Sequence, residues 1–438
     1  MTAYDIAKPG LMLKTYRALT SVAAPFAPLI LAWRTRAGKE ERERRPERYG
    51  QATAPRPQGF LAWFHAASVG EANAALPVIE AIAAERPEVR ILLTTATVTS
   101  ARLARTRMPK GVVHQYVPLD NPAFVQRFLR HWHPDLAVLV ESEIWPNLVL
   151  DTKALRIPLL LINGRMSASS FRRWRRRPDF SRPLFSAFDL VLAQNDSLAE
   201  RFAELGAVRA LDVGNLKADA PPPPADLPGR RKLDAAISGR TVWLAASTHQ
   251  GEDEIVRAAH CSMKAARPDL LTIIVPRHPE RGPLIAELVR AAGLGVALRS
   301  KGALPDADTD VYVADTIGEL GLFYALVPVA FVGGSLVDRG GQNPVEPIKL
   351  GAAVLTGPNW QNFRDSYTAL LHAGGGKEIV DAASLAAAAL DLIEDENARK
   401  TMTERALKTI AAMSGALPRT LAELENYLPP KTTLKHAS

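Results

Sequence analysis

FLAWFHAASVGEAN, Phe60 to Asn73, opens as a short apolar run and ends at the start of a helix. Phe60–Phe64 reads as a buried strand. The chain then turns small and polar through His65–Ser68, reaches Gly70 and sets Glu71 just before the Ala-rich run Ala74–Ala84, which reads as a helix. This order puts Glu71 in a first helical turn at the carboxyl end of a strand, where open α/β sheets bind ligands. A first-turn carboxylate also complements the helix dipole. On this stretch alone both roles stay open.

Outward from that point, strand and helix alternate. Candidate strands are Phe60–Phe64, Arg90–Thr95, Val112–Val117, Leu136–Val140, Pro158–Ile162, Leu190–Ala193 and Leu211–Val213, with helices between them such as Asn121–His131 and Ser197–Leu205. A second series runs through Val242–Ala246, Leu271–Val275, Val296–Arg299, Val311–Ala314, Val329–Val332 and Ala353–Leu355. Its expected helices include Glu252–Ala266, Leu284–Ala292, Gly318–Leu326 and Phe363–His372. Such alternation implies parallel sheets covered by helices. Pro221–Pro224 and Pro228 read as a stiff linker between the two series. The expected divisions are a 1–48 apolar and basic segment, a 49–217 domain, a 218–240 linker, a 241–428 domain whose last helices return to the first, and a 429–438 tail. Two Rossmann-like domains leave a cleft, a common ligand site.

The 438 residues are 47% hydrophobic and 23% charged, enough for two cores and unlike a disordered chain. The net charge of +8 points to an anionic partner: nucleic acid, an acidic substrate or a membrane face. With Cys261 alone, no intrachain disulfide framework is open to it. Ala18–Trp33 is apolar but short for a span, and Pro25 and Pro28 interrupt it. The basic residues that follow favour keeping the rest of the chain in the cytoplasm. Membrane association of this segment is the favoured reading over a soluble core helix.

The chain has no Walker A lysine motif, no GxGxxG after the first strand, no CxxC and no HExxH. Simple ATPase, NAD enzyme and zinc protease readings lose support. What stands out is polar residues at strand ends. VPRHPERG puts Pro276, Arg277 and His278 after one strand, and the Arg277 fork suits phosphate; a surface salt bridge to Glu280 is the plainer role. DTIGEL places Gly318 and Glu319 at an expected helix start, whose free N–H groups can hold an anion. In FVGGSLVDRGGQNPVEP, Asn343 reads as an N-cap and Pro344 as the first turn, with Val345 and Glu346 following. Glu346 can accept ribose hydroxyls. In the first series Thr94 and Thr95 offer hydroxyls, ESEIWPN begins with Glu141, and NGRMSASS precedes the basic FRRWRRR around Trp174. That cluster fits a solvated face, a nucleic-acid patch or a grip on lipid phosphates.

These motifs together resemble the 3-deoxy-D-manno-octulosonic acid (Kdo) transferases of lipopolysaccharide synthesis. They are SVGE at Ser68–Glu71, ESEIWPN, NGRMSASS, GNLK at Gly214–Lys217, STHQGEDE at Ser247–Glu254, VPRHPERG, DTIGEL and GGSLVDRGGQNPVEP, with PERYG after the N-terminal segment. The likeness covers nearly the whole chain and departs at Thr94–Ser100. It implies a GT-B glycosyltransferase with an acceptor-binding first domain and a nucleotide-sugar-binding second domain. The implied donor is CMP-Kdo, the acceptor an anionic lipid A precursor, and the location the cytoplasmic face of the inner membrane. It implies inversion, no metal or other cofactor, and no nucleic-acid partner. Glu71 matches the catalytic glutamate. Pro276, Arg277, Gly318, Glu319 and Asn343–Glu346 match the CMP contacts, with His278 weaker. Ser68, Gly70, Thr94, Thr95, Glu141 and Lys217 are weaker candidates for holding donor or acceptor sugar. The rivals are another GT-B enzyme, a UDP-sugar transferase or 2-epimerase, and a non-catalytic RNA- or membrane-binding protein.

Overall fold

The computed structural model describes residues 10–219 and 227–431. They fall into two compact units, one built from the chain before residue 220 and again from 414, the other from the chain between. Residues 221–224 of the expected linker lie outside the described residues.

The first unit holds a seven-stranded parallel sheet. Its strands are β1 (Leu61–His65), β2 (Arg90–Thr95), β3 (Val113–Tyr116), β4 (Leu136–Val140), β5 (Leu159–Gly164), β6 (Leu190–Ala193) and β7 (Ala210–Asp212). Their spatial order is β3-β2-β1-β4-β5-β6-β7, so the winding reverses between β1 and β4. The strands are nearly continuous apolar runs because both faces are covered. In β1, Leu61 and Trp63 enter one core layer, and Ala62 and Phe64 the other. The helix Val69–Glu85 follows β1 and buries Ala72, Ala75, Leu76 and Ile79.

The second unit repeats the plan with β8 (Val242–Thr248), β9 (Leu271–Pro276), β10 (Val296–Leu298), β11 (Val311–Val313), β12 (Val329–Val332), β13 (Ala353–Thr356) and β14 (Lys377–Glu378). Their order is β10-β11-β9-β8-β12-β13-β14, all parallel, with the reversal between β8 and β12. This is the doubly wound α/β class expected of GT-B enzymes.

Four details differ from the sequence reading. Leu227–Ala236, assigned to the linker, is a helix, and its Leu233 is buried in the second core. Pro228 is tolerated there because the first turn needs no N–H donor. The two-residue strand β14 has too little apolar content to register as a strand. Gly318 does not open a helix: its φ is +90°, and the helix begins at Leu320. Fourth, the basic stretch before residue 48, read as a segment of its own, packs into the first unit. Arg48 pairs with Glu40 at 2.9 Å, and Glu47 accepts the Tyr116 N–H at 2.6 Å, all three side chains being buried.

At the N-terminal end, Pro25 and Pro28 divide the apolar run into helices Leu11–Val22 and Ala27–Arg36. Leu13 and Leu31 are buried, and Tyr16 donates to Asp120 at 2.8 Å, which fastens this segment to the first unit. Leu11, Leu19, Val22, Phe26, Leu29 and Trp33 stay exposed. Among the described residues, no helix is long and apolar enough to cross a membrane.

Candidate active site

In the first unit, polar side chains gather where the winding reverses, at the carboxyl ends of β1, β4 and β5. Glu71 stands in the first turn of the helix after β1. Ser68 is its N-cap: Ser68 Oγ accepts the Glu71 N–H at 3.3 Å and donates to Glu71 Oε1 at 2.9 Å. Glu71 Oε2 accepts the Ala67 N–H at 2.7 Å. The first-turn role raised by the sequence is therefore real. Yet the carboxylate is also tuned. Burial raises its pKa, the nearby Glu143 and Glu141 charges raise it further, and the Ser68 hydrogen bond and His65 oppose them.

Glu141 ends β4 in a left-handed conformation, φ +59°. Its Oε1 pairs with Lys217 Nζ at 2.5 Å and accepts from Asn163 Nδ2 at 3.3 Å, while Arg165 stands 3.8 Å from Oε2. Asn163, also left-handed at the end of β5, accepts the Leu216 N–H through Oδ1 at 3.0 Å. ESEIWPN, NGRMSASS and GNLK thus meet at one point. Non-glycine residues in this conformation cost about 1 kcal/mol or more each, and such strain clusters at functional sites. Lys217 Nζ lies 3.7 Å from where a Cβ on Gly70 would stand, which brings it beside the Glu71 turn.

Glu143 lies two residues beyond Glu141 in ESEIWPN. Burial works to raise its pKa, yet His65 and the Trp145 indole hold it below the usual carboxylate range. Trp145 Nε1 donates to it at 2.6 Å, and His65 Nε2 stands 3.7 Å away. Glu71 and Glu143 are thus pushed apart, the usual mark of an acid–base site. The only available signal was the E-x-E spacing after a strand.

Thr94 and Thr95 turn inward. Both are fully buried. Thr94 Oγ1 is held by Trp63 Nε1, His65 Nδ1 and the Phe64 carbonyl, and Thr95 Oγ1 by His114 Nε2. Both hydroxyls are engaged within the unit. Their work is to fix His65 and β3.

In the second unit, the loops after β9, β11 and β12 carry the expected nucleotide contacts. Pro276 ends β9. Arg277 is exposed, and its guanidinium has no hydrogen-bond or ion-pair partner among the described residues. Glu280 pairs with His278, at 3.7 Å, not with Arg277. The His278 ring packs edge-on to His249 at 5.8 Å. Glu319 is bound by Arg299 and Thr316. The Arg299 hydrogen bond holds its carboxylate below the usual range, so the side chain is occupied within the unit. Pro344 is the N-cap of a short helix, Val345–Lys349, one residue later than read. Asn343 accepts the Val345 N–H at 3.1 Å and donates to Glu346 at 3.2 Å.

Glu252, in STHQGEDE, received no role from the sequence. It is fully buried and accepts four backbone N–H groups, from His249, Gly334, Ser335 and Leu336, at 2.7 to 3.0 Å. It ties the loop after β8 to the loop after β12 where the second winding reverses. Gly333 is required beside it, since a Cβ there would meet the Ser247 carbonyl at 2.7 Å. His249 borders this loop. Burial and the surrounding His278, Arg339, Arg277 and Arg281 push its pKa down to about 4. Among the described residues, no group of three or more His, Cys, Asp or Glu is placed to hold a metal ion.

The family model for 3-deoxy-D-manno-octulosonic-acid transferase (kdotransferase) matches residues 43–220. The 3-deoxy-D-manno-octulosonic acid transferase of Haemophilus influenzae is 34% identical over 94% of this chain and 98% of its own length. The enzyme of the same name from Bordetella pertussis is 36% identical over 92% and 97%. The chain belongs to the Kdo transferase family. It is thereby a glycosyltransferase, as the motifs implied. A UDP-GlcNAc 2-epimerase from Neisseria meningitidis, solved with UDP-GlcNAc, shares the fold at TM-score 0.57 and 13% identity, covering 84% of this chain and 100% of that one. That likeness speaks to architecture alone. The Kdo transferase motifs supply the residues gathered at both sheet reversals.

Proposed function

We propose that this enzyme moves Kdo from CMP-Kdo to a phosphorylated lipid A precursor, with inversion and with Glu71 as general base. The supporting observation is the Glu71 environment: a carboxylate at a sheet reversal, buried and flanked by two others, with its pKa raised toward working pH. The acceptor hydroxyl gives its proton to Glu71. Its oxygen attacks the anomeric carbon of Kdo, and the bond from that carbon to the CMP phosphate oxygen breaks. CMP leaves with the electron pair. One attack on one face inverts the centre.

In the second unit, the unpartnered Arg277 is suited to the departing phosphate. Pro276, His278, Gly318, the backbone at Glu319 and Asn343–Glu346 complete the proposed CMP contacts. Glu319 contributes through its backbone, because Arg299 holds its carboxylate. Lys217 and Glu141 order the sugar-facing side of the first unit, with Ser68 and Gly70 at its edge. The exposed apolar residues of the first two helices, together with Lys14, Arg34 and Arg36, suit the cytoplasmic face of an inner membrane.

The test is incubation with CMP-Kdo, generated in situ, and a tetraacylated lipid A precursor, read by mass spectrometry. Product heavier by whole Kdo units is expected, and none from Glu71→Ala. CMP should raise the melting temperature where UDP does not. Protection by UDP alone would favour the epimerase-like or UDP-sugar reading instead.

A further inference from the structure

A cavity of about 520 Å³ opens in the first unit next to the carboxylate cluster. Its polar lining comes from Ser142, Ser167, Ser170, Arg165, Arg173 and Arg177. Ser142 lies between Glu141 and Glu143, so one wall is the strand-end segment that carries them. The opposite wall belongs to the helices Ala168–Arg175 and Pro178–Phe185, where Trp174 and Phe180 stack at 5.7 Å and 19°.

The charges around this space are unbalanced. Arg165 is shared with Glu141 at 3.8 Å. Arg173 reaches only the Ser170 hydroxyl, at 3.4 Å, and the Arg177 guanidinium has no side-chain partner among the described residues. Neither is matched by a carboxylate. The volume suits a ligand the size of a sugar. An aromatic wall accepts the apolar face of a pyranose, and two unpaired guanidiniums accept a phosphomonoester in forked geometry.

We infer that this cavity is the subsite for a phosphorylated sugar of the acceptor, with Arg173 and Arg177 holding its phosphomonoester and Trp174 backing its ring. The inference rests on the proposed lipid acceptor and adds where its headgroup is read. A phosphate fixed here leaves the rest of the headgroup beside Ser142, next to the carboxylates around Glu71. Arg173 and Arg177 act as acceptor-binding residues and take no part in proton transfer.

The test uses the full-length enzyme and the double variant Arg173→Gln/Arg177→Gln. Both arginines are exposed, so the variant should melt close to wild type. With the phosphorylated acceptor, KM for the acceptor should rise at least ~10-fold, the scale of a lost charged contact, while KM for CMP-Kdo stays put. With the same acceptor stripped of its phosphates, wild type and variant should converge. Binding to phosphatidylglycerol vesicles should not distinguish them. An unchanged acceptor KM overturns the inference. So does an equal penalty on the dephosphorylated acceptor. A parallel loss of vesicle binding also overturns it, and assigns the arginines to general membrane contact. If wild type transfers no Kdo to either acceptor, the proposed function itself fails, an outcome separate from all of these.

Discussion

Ser68 and Glu71 hold each other: the serine hydroxyl donates to Glu71 Oε1 at 2.9 Å and accepts the Glu71 N–H at 3.3 Å. One side chain therefore starts the helix and steadies the proposed base. Ser68→Ala should cost about 1 kcal/mol of stability as a lost cap. It also removes the hydrogen bond that lowers the Glu71 pKa. The acid limb of the kcat/KM–pH profile should therefore move to higher pH, which a pH-rate series would read directly. A structural cap alone would leave that limb in place.

Glu71→Gln should lower turnover by ~10²–10⁴, the usual worth of a general base. Its effect on stability has the opposite sign. Burial first, and then Glu143 and Glu141, raise the folded-state pKa above the unfolded one. The stability this gives is complete below the unfolded value and is lost as pH rises through the folded value. At pH 7–8 the wild type carries that penalty and the amide does not. Glu71→Gln should melt at the same or a higher temperature there, with the gap closing in acid. Differential scanning calorimetry across pH 5–8 checks it.

The Glu141–Lys217 pair is nearly buried, and each member alone is poorly solvated. Lys217→Met and Glu141→Gln should each destabilise by on the order of 3 kcal/mol or less, Lys217 keeping some contact with water. The double variant should be milder than the sum, since it leaves no lone charge. Additive losses in a denaturant double-mutant cycle would show the two residues acting separately.

Glu252→Ala leaves four buried N–H groups without an acceptor. Each unmet donor costs about 1–3 kcal/mol, so a loss of several kcal/mol is expected, from urea unfolding of the second unit. Thermal protection by CMP should weaken with it, because the carboxylate ties down the loop after β12 that leads to Asn343–Glu346.

Much of this was legible beforehand because buried parallel strands announce themselves. Thirteen of the strands are long or apolar enough to stand out, whereas Lys377–Glu378 is exposed, charged and two residues long. Gly318 misled because a glycine before an apolar run resembles a helix start, while here its left-handed φ closes a turn. Thr94 and Thr95 sit at a strand end, as ligand-facing residues do. Only side-chain direction reveals that their hydroxyls turn inward to Trp63, His65 and His114. Glu252 was hidden for a similar reason: an acid in a first turn looks like a dipole partner until the loop it binds, more than eighty residues later, is in place. Glu71 kept both readings: its hydrogen bonds show the first-turn role, and the catalytic role is the one proposed above.

The helix Ala416–Glu425 completes the first unit, not the second. Ala416 and Leu424 fill its core, and Asp219 accepts the Gly415 and Leu417 N–H groups. During synthesis part of the amino-terminal lobe's apolar surface therefore stays uncovered until the segment from residue 414 has left the ribosome. The intervening lobe has all its strands by then and is free to fold earlier. Assembly order runs against chain order, and a nascent protein arrested after Met413 would hold the second unit finished and the first unfinished.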